Sequence, residues 1–164
     1  MADPLAHPAV RRVQAALAAA GSSAQVIALA ETARSAEDAA ASIGTPLGSI
    51  VKSLVFTAGG APMMALVAGD RRCDAAALGR ALGREGKVRR ADADAVRAAT
   101  GFSIGGVAPV AHETPLAVAI DASLGRFKTV YAAAGHPHCV FATTLGELER
   151  LTGGTVSAEI AVAP

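Results

Sequence analysis

The strongest structural constraint in this sequence is a pair of apolar runs joined by two adjacent glycines. The runs are "SIVKSLVFTA" at 49–58 and "PMMALVAG" at 62–69, with Gly59 and Gly60 in the connection between them. A Gly-Gly pair readily adopts the positive φ angles that a tight hairpin turn requires. The segment therefore predicts an antiparallel β-hairpin, and the rest of the chain must pack around a sheet that contains it.

The remaining sequence predicts five helices and five further strands. The helices are indicated by an apolar repeat through Val10, Val13 and Leu17 that stops at Gly21, and by capping residues Ser35, Asp74, Asp92 and Thr144. Strands are expected at 24–29, 116–121, 129–134, 138–143 and 155–162. Because hairpins and helices alternate without a regular βαβ rhythm, we predict an α+β (mixed α/β) fold with a mixed, largely antiparallel sheet, as one domain over residues 1–164.

The composition narrows the class of protein. At 164 residues and 52% hydrophobic residues, the chain is long and apolar enough for a compact core and is unlike a disordered segment. Cys73 and Cys139 lie far apart and form no CxxC pair, so no disulfide framework is expected. Asp3 interrupts the start and no signal peptide is expected, and no apolar stretch reaches the roughly 18 residues of a membrane span. We expect a soluble, cytoplasmic protein without membrane association.

Basic residues are concentrated in the middle of the chain, although the formal net charge is only +1. Eight basic side chains and four acidic ones lie between Arg71 and Arg97. Such a stripe is typical either of phosphate binding through counterion release or of a solvated surface of two helices. Under the first interpretation, the candidate nucleic-acid contacts are Arg84, Lys87, Arg89 and Arg90.

Several familiar catalytic motifs are absent or incomplete. The segment "GREGK" lacks the first glycine and the Ser/Thr of a P-loop, and the glycines of "GFSIGG" have the wrong spacing for dinucleotide binding. There is no GxSxG elbow of a serine hydrolase. His136 and His138 beside Cys139 lack a third ligand at a plausible spacing, so we predict no metal and no cofactor.

Three segments carry residues that a purely structural role explains poorly. Lys52 interrupts an apolar strand, either as an edge residue that reaches solvent or as a cation directed into a cleft. The segment "GFSIGGVAPV" at 101–110 is either an ordinary tight loop or a place where backbone groups approach a ligand closely. In "AAGHPH", Gly135 and Pro137 flank His136 at a predicted strand end, where a histidine either forms a turn or contacts a ligand.

Four segments together resemble the YbaK/prolyl-tRNA-synthetase-associated editing domains. They are "IVKSLVF", "TGFSIGGVAPV", "AVAIDASL" and "TVYAAAG", in that order, and the similarity runs from about Ala30 to Leu151. The resemblance implies a YbaK-like fold, with a sheet or partial barrel flanked by helices around a small pocket, without a cofactor. It also implies hydrolysis of the ester that joins a wrong amino acid to tRNA, by a protein that acts in trans. The expected partners are mischarged tRNA, chiefly tRNA(Pro) carrying a small residue, and a prolyl-tRNA synthetase.

The resemblance also assigns residues. Lys52 matches the essential lysine of the family, while Gly105, Gly106 and Pro109 match the pocket loop, with the two glycines in the catalytic group. His136, with Gly135 before it, stands where members that clear alanine or 2-aminobutyrate carry a histidine, and Thr32 falls near a pocket threonine. Members that clear cysteine carry an aspartate after "TVYAAAG", and the "HPHCVF" found here has none. Alanine or 2-aminobutyrate is therefore the expected substrate residue.

Two other functions are consistent with the same residues. The first is a non-catalytic module that binds tRNA or a synthetase and has lost hydrolysis. The second is a hydrolase that acts on another small acylated substrate without tRNA. Lys52 together with the intact spacing from Gly105 to Pro109 favours the deacylase, because an activated ester needs only a positioned water and a stabilised oxyanion.

Overall fold

The computed structural model describes residues 3–164, so the first two residues of the predicted 1–164 domain lie outside the described range. Five α-helices are found there: α1 (Pro8–Ala19), α2 (Ala36–Ile43), α3 (Ala75–Ala81), α4 (Ala93–Thr100) and α5 (Leu145–Thr152). The strands are β1 (Val26–Ala28), β2 (Ile50–Ala58), β3 (Ala61–Ala68), β4 (Arg72–Cys73), β5 (Val88–Arg90), β6 (Ala117–Asp121), β7 (Val130–Ala133), β8 (Cys139–Thr143), β9 (Thr155–Ser157) and β10 (Ala161–Val162).

The predicted hairpin is confirmed as the β2–β3 pair. Its register is unbroken from Val51 opposite Ala68 to Ala58 opposite Ala61. Gly59 and Gly60 form the two-residue turn with φ angles of 57° and 80°. Two positive φ angles in a row match the right-handed twist of the flanking strands, and glycine adopts them without the steric cost that a Cβ would add.

The hairpin lies inside one mixed sheet of eight strands. The order along the sheet is β1-β8-β7-β2-β3-β6-β9, and β5 also pairs with β2. The pairs β7·β2, β3·β6 and β6·β9 are parallel, whereas β1·β8, β8·β7, β2·β3 and β2·β5 are antiparallel. The predicted fold class, an α+β domain with a mixed sheet flanked by helices, is therefore confirmed.

Side-chain caps start the helices where the sequence predicted them. The hydroxyl of Ser35 accepts a hydrogen bond from the backbone N–H three residues further on, and Asp74, Asp92 and Thr144 do the same at 2.8–3.1 Å. Each cap satisfies one of the N–H groups that the first helical turn leaves without a partner. These caps fix where α2, α3, α4 and α5 begin.

Two features of the sheet differ from the sequence prediction. The predicted closing strand at 155–162 is two strands, because β9 pairs with β6 while β10 pairs with β4 in a separate two-stranded sheet. Between them the Ser157 hydroxyl accepts the N–H of Glu159, a local turn that competes with the strand ladder. Strands β4 and β5 were not predicted, because β4 has only two residues and because Arg89 and Arg90 of β5 are exposed and give its sequence no apolar alternation.

The hairpin is buried on both of its faces. Val51, Val55, Met64 and Leu66 belong to a hydrophobic cluster that includes residues of α1, α4 and α5. On the other face, alternate residues of β2 and β3 pack in a second cluster with Leu78 of α3. A strand pair covered on both sides is held rigidly, and it can therefore position side chains at its edge.

Within the described residues, no helix is long and apolar enough to cross a membrane.

A buried carboxylate ties the end of β6 to β3. Asp121 accepts the N–H of Ala68 at 3.0 Å, and it also accepts the N–H and the hydroxyl of Ser123, each at 2.8 Å. Asp121→Asn replaces one accepting oxygen by an NH2 donor, so at least one of these donors loses its acceptor. We expect the free energy of unfolding, measured by urea denaturation, to fall by about 1–3 kcal/mol.

The exposed Asp94 in the first turn of α4 provides the matched control. Asp94→Asn removes only a favourable interaction with the helix dipole and should cost less than about 1 kcal/mol. Equal losses of unfolding free energy in the two variants would show that the hydrogen bonds of the buried carboxylate do not stabilise the fold.

Candidate active site

A gap in the pairing of β2 creates a cavity in the middle of the sheet. On one edge β2 pairs with β3 along its length. On the other edge β7 pairs only with Ile50 and Val51, and β5 pairs only with 56–58. Residues 52–55 therefore border a gap, and a cavity of about 290 Å³ lies there. This volume is at the lower end of the roughly 300–1,000 Å³ that is typical of small-molecule sites.

The cavity has an apolar wall and a cationic rim. Valine side chains from several elements form the wall: Val51, Val55, Val96, Val107 and Val140. The charged residues that line it are Arg34, Lys52 and Arg90, and no Asp or Glu of the described residues joins them. Such a site accepts a small apolar group and favours an anion, such as a phosphate, beside it.

Lys52 projects from the central strand into this partly desolvated environment. Its Nζ donates a hydrogen bond to the backbone carbonyl of Arg71. Burial lowers the pKa of the Lys52 ammonium, Glu37 opposes that change and Arg90 adds to it. Because the ammonium has three N–H groups, its bond to Arg71 leaves donors available for a ligand.

The glycines of the predicted pocket loop differ in position. Gly105 lines the cavity with a φ angle of 99°. Gly106 lies behind it, where a Cβ atom would stand 2.8 Å from the backbone of both Gly135 and His136. Gly135 in turn has a φ of 95°, and a Cβ there would lie 2.8 Å from the backbone of Ala9 in α1. Close backbone packing therefore holds the loop, the His136 turn and α1 together.

His136 contributes a neutral imidazole to the cavity. Its Nδ1 accepts the backbone N–H of His138 at 3.0 Å, so the neutral ring carries its proton on Nε2. Burial lowers the pKa of His136, and its neighbours His7 and His138, with ring centres at 5.3 and 5.4 Å, lower it further. At neutral pH the ring therefore offers a hydrogen-bond donor without a charge.

The structure brings some predicted site residues together and separates others. Lys52, Gly105 and His136 line one cavity, with Gly106 and Gly135 directly behind it. Thr32 is exposed outside the lining, and its Oγ1 lies 2.5 Å from Nε2 of His138. Pro109 is buried elsewhere and lines a different cavity beside the end of α1.

The predicted nucleic-acid contacts lie on and before β5, which borders the cavity. Arg84, Lys87, Arg89 and Arg90 are all exposed. The ion pairs found within residues 3–164 are Arg126–Asp70 and Arg150–Glu147, and none of the four takes part in them. Arg90 itself lines the cavity, 5.5 Å above the ring of Phe56. Unpaired positive charge thus extends outward from the cavity.

Among the described residues, the cavity contains no serine or cysteine that is activated as a nucleophile. Cys139 lines it, but burial raises the pKa of its thiol, which therefore stays protonated at neutral pH. Across residues 3–164, no side-chain hydrogen bond joins a histidine ring to a serine or cysteine of the lining. The same part of the chain has no group of three His, Cys, Asp or Glu side chains that could hold a metal ion.

Sequence reasoning missed two lining residues, Arg34 and Ser53. Arg34 precedes α2 and gives no motif or periodic signal of its own. Ser53 follows Lys52, and its polar side chain within an apolar run was the available signal. Its Oγ is buried and has no hydrogen-bond partner among the described residues.

The fold and the cavity define a mixed α/β domain with a small binding site beside an exposed basic surface. The family model of the aminoacyl-tRNA editing domain matches residues 30–151. The chain is 36% identical over 119 residues to the uncharacterized protein YwhH of Bacillus subtilis (strain 168), a match that covers 71% of this chain and 73% of that protein. This chain therefore belongs to the aminoacyl-tRNA editing domain family.

Two further comparisons connect the family to prolyl-tRNA synthetases. The chain is 31% identical over 102 residues to a proline–tRNA ligase of Solidesulfovibrio magneticus, and this match covers 62% of the chain but only 18% of the ligase. A crystal structure described as a candidate trans-editing enzyme for prolyl-tRNA synthetase is 41% identical, with a TM-score of 0.85 over 92% of this chain and 96% of that one. The family predicted from the sequence is thus confirmed.

The electrostatic environment of Lys52 can be tested directly. Arg90→Gln removes a neighbouring cation and should raise the pKa of Lys52, whereas Glu37→Gln removes an opposing anion and should lower it further. An NMR titration of the Lys52 side chain measures both changes. Shifts in the same direction in both variants, or none in either, would contradict this description of the site.

Proposed function

We propose that this chain is an aminoacyl-tRNA deacylase that acts in trans and releases a wrong, small amino acid from tRNA. The observation that carries the proposal is that Lys52, Gly105 and His136 line one small cavity in an editing-domain fold. We extend the role to the whole chain as one editing domain over residues 1–164. The cytoplasm, where translation takes place, is the proposed location.

The chemistry of the site suits hydrolysis by water. An aminoacyl ester is already activated, so the protein needs to position water and stabilise the oxyanion rather than supply a nucleophile. We assign Lys52 to the phosphate of the terminal adenosine or to the carbonyl side of the ester. The backbone of Gly105 orients the water and the 2′-OH, with Gly106 behind it packed against the His136 turn, and the Nε2–H of His136 faces the amino acid.

The size and lining of the cavity support a small substrate residue. Its apolar valine wall suits the side chain of alanine or 2-aminobutyrate. Among residues 3–164, no carboxylate lines the cavity to mark a cysteine-clearing site. The likeness to proline–tRNA ligases and to a trans-editing candidate makes tRNA(Pro) the proposed carrier and a prolyl-tRNA synthetase the proposed partner. We propose that the cavity discriminates against proline, the correct residue.

The exposed basic residues are the proposed tRNA-binding surface. Arg84, Lys87, Arg89 and Arg90 would neutralise phosphates of the acceptor end, and each such contact releases counterions. Arg90 links this surface to the cavity because it belongs to both. An RNA strand bound along β5 would therefore have its 3′ end at the gap beside β2.

Lys52→Ala provides the test of this function. Loss of a cation that stabilises the transition state should lower the rate of alanine release from Ala-tRNA(Pro) by about 10²–10³-fold. The rate is measured as release of labelled alanine at saturating enzyme, and the unfolding midpoint confirms that the variant is folded.

Lys128→Ala is the matched control, since Lys128 is exposed and outside the cavity. It should keep the wild-type rate. A Lys52→Ala variant with near-normal turnover would remove Lys52 from catalysis. A wild-type protein that binds the charged tRNA and releases no amino acid would instead support the non-catalytic binding module.

A further inference from the structure

A serine hydroxyl in the cavity wall has no hydrogen-bond partner. Ser53 lines the cavity, and its Oγ is buried without a partner among residues 3–164. Native proteins leave few buried hydroxyls in this condition, because desolvation without a new hydrogen bond is unfavourable. A ligand in the cavity would supply the missing partner.

The backbone of Ser53 also lacks a strand partner on the cavity side. The carbonyl of Ile50 accepts the N–H of Gly69 at 2.8 Å on the β3 edge, and the carbonyl of Val55 accepts the N–H of Ala91 at 3.0 Å on the opposite edge. Backbone groups alternate between the two edges along a strand, and the β2–β3 register is unbroken. The N–H and C=O of Ser53 therefore point towards the gap, where neither β5 nor β7 pairs with it.

Two other side-chain acceptors in the cavity are already engaged. The charged lining residues are all cationic. The Nδ1 of His136 accepts the N–H of His138 at 3.0 Å, and the hydroxyl of Ser35 accepts the N–H of Asp38 at 3.1 Å. Ser53 therefore offers two free acceptors, its Oγ and its backbone C=O, to a cationic group that enters the cavity.

We propose that Ser53 recognises the α-amino group of the aminoacyl ester. Its Oγ and backbone C=O accept hydrogen bonds from the amino group, and its N–H donates to the ester carbonyl oxygen. In an aminoacyl group the amino and carbonyl groups flank one α-carbon, as the N–H and C=O groups do in one residue of a strand. In an antiparallel pair, two opposed residues exchange both of these hydrogen bonds. The substrate would thus occupy the gap as a single additional strand residue.

This pairing adds to the proposed function, on which it rests, because it makes a free α-amino group a requirement. It also assigns the ester carbonyl to a fixed backbone donor, where negative charge develops during hydrolysis. The Lys52 ammonium is then available for the phosphate of the terminal adenosine.

A substrate comparison tests the requirement with the wild-type chain. Alanyl and propionyl esters of the same tRNA(Pro) differ only in the α-amino group. Their values of kcat/KM are divided by the rates of uncatalysed hydrolysis, because the amino group also activates the ester. We expect the corrected value to be about 10- to 100-fold lower for the propionyl ester, as for the loss of a hydrogen bond to a charged group.

Ser53→Ala tests the residue. It should lower kcat/KM for the alanyl ester about tenfold and change that for the propionyl ester by less than about threefold. Stability should stay the same or increase, because an unpaired buried hydroxyl is removed. A purely structural role for Ser53 would produce lower stability and equal losses on both esters.

The matched control is Thr143→Val, which removes the other buried hydroxyl without a partner among residues 3–164, in a separate cavity beside α5. It should leave both esters unaffected. Equal corrected rates for the two esters, or a Ser53→Ala variant with normal alanine release, would overturn the Ser53 proposal alone. A wild-type protein that hydrolyses neither ester would overturn the proposed deacylase function and this inference with it.

Discussion

The site depends on one incomplete strand pairing. Strand β2 is bonded to β3 along its length, but on its other edge β7 ends its pairing at Val51 and β5 begins its pairing at Phe56. Sheets rarely leave inward-facing backbone groups unpaired, because each buried N–H or C=O without a partner destabilises the fold. We therefore interpret a gap beside a hairpin that is buried on both faces as a binding site for another molecule. The cavity, its small volume and the cationic rim all follow from that gap.

Close backbone packing keeps the gap open. The carbonyl of Cys139 accepts the N–H of Ala134, which closes the turn that carries His136. Gly106 packs against this turn, and Gly135 packs against Ala9 in α1. The glycines were interpreted from the sequence as points of ligand approach; Gly106 and Gly135 instead permit contact between backbones. Helix α1 begins at Pro8, before the matched range 30–151, yet it supports the site through this contact.

The parts of the molecule that could be predicted are those that depend on residues close together in the sequence. The hairpin turn at Gly59 and Gly60 and the helix caps depend on residues within a few positions of one another, and the sequence displays them directly. The division of the closing strand and the pairing of β5 depend on distant partners, as does the gap beside Ser53. Their short-range patterns are either ambiguous, as at 155–162, or polar, as at Arg89. Lys52 was identified because a charge within an apolar run stands out, whereas Arg34 reaches the cavity only through the fold.

Single-turnover deacylation measures the selectivity of the cavity most directly. The same tRNA(Pro) is charged in turn with alanine, 2-aminobutyrate, cysteine, serine and proline, and the release of each amino acid is followed at saturating protein. Pocket discrimination is worth about 10–200-fold for a change of one methylene. An editing cavity of this kind predicts rapid release of alanine or 2-aminobutyrate and release of proline that is slower by at least that margin. Proline released as fast as alanine would contradict it, since a cavity that admits the correct residue cannot serve as an editing site.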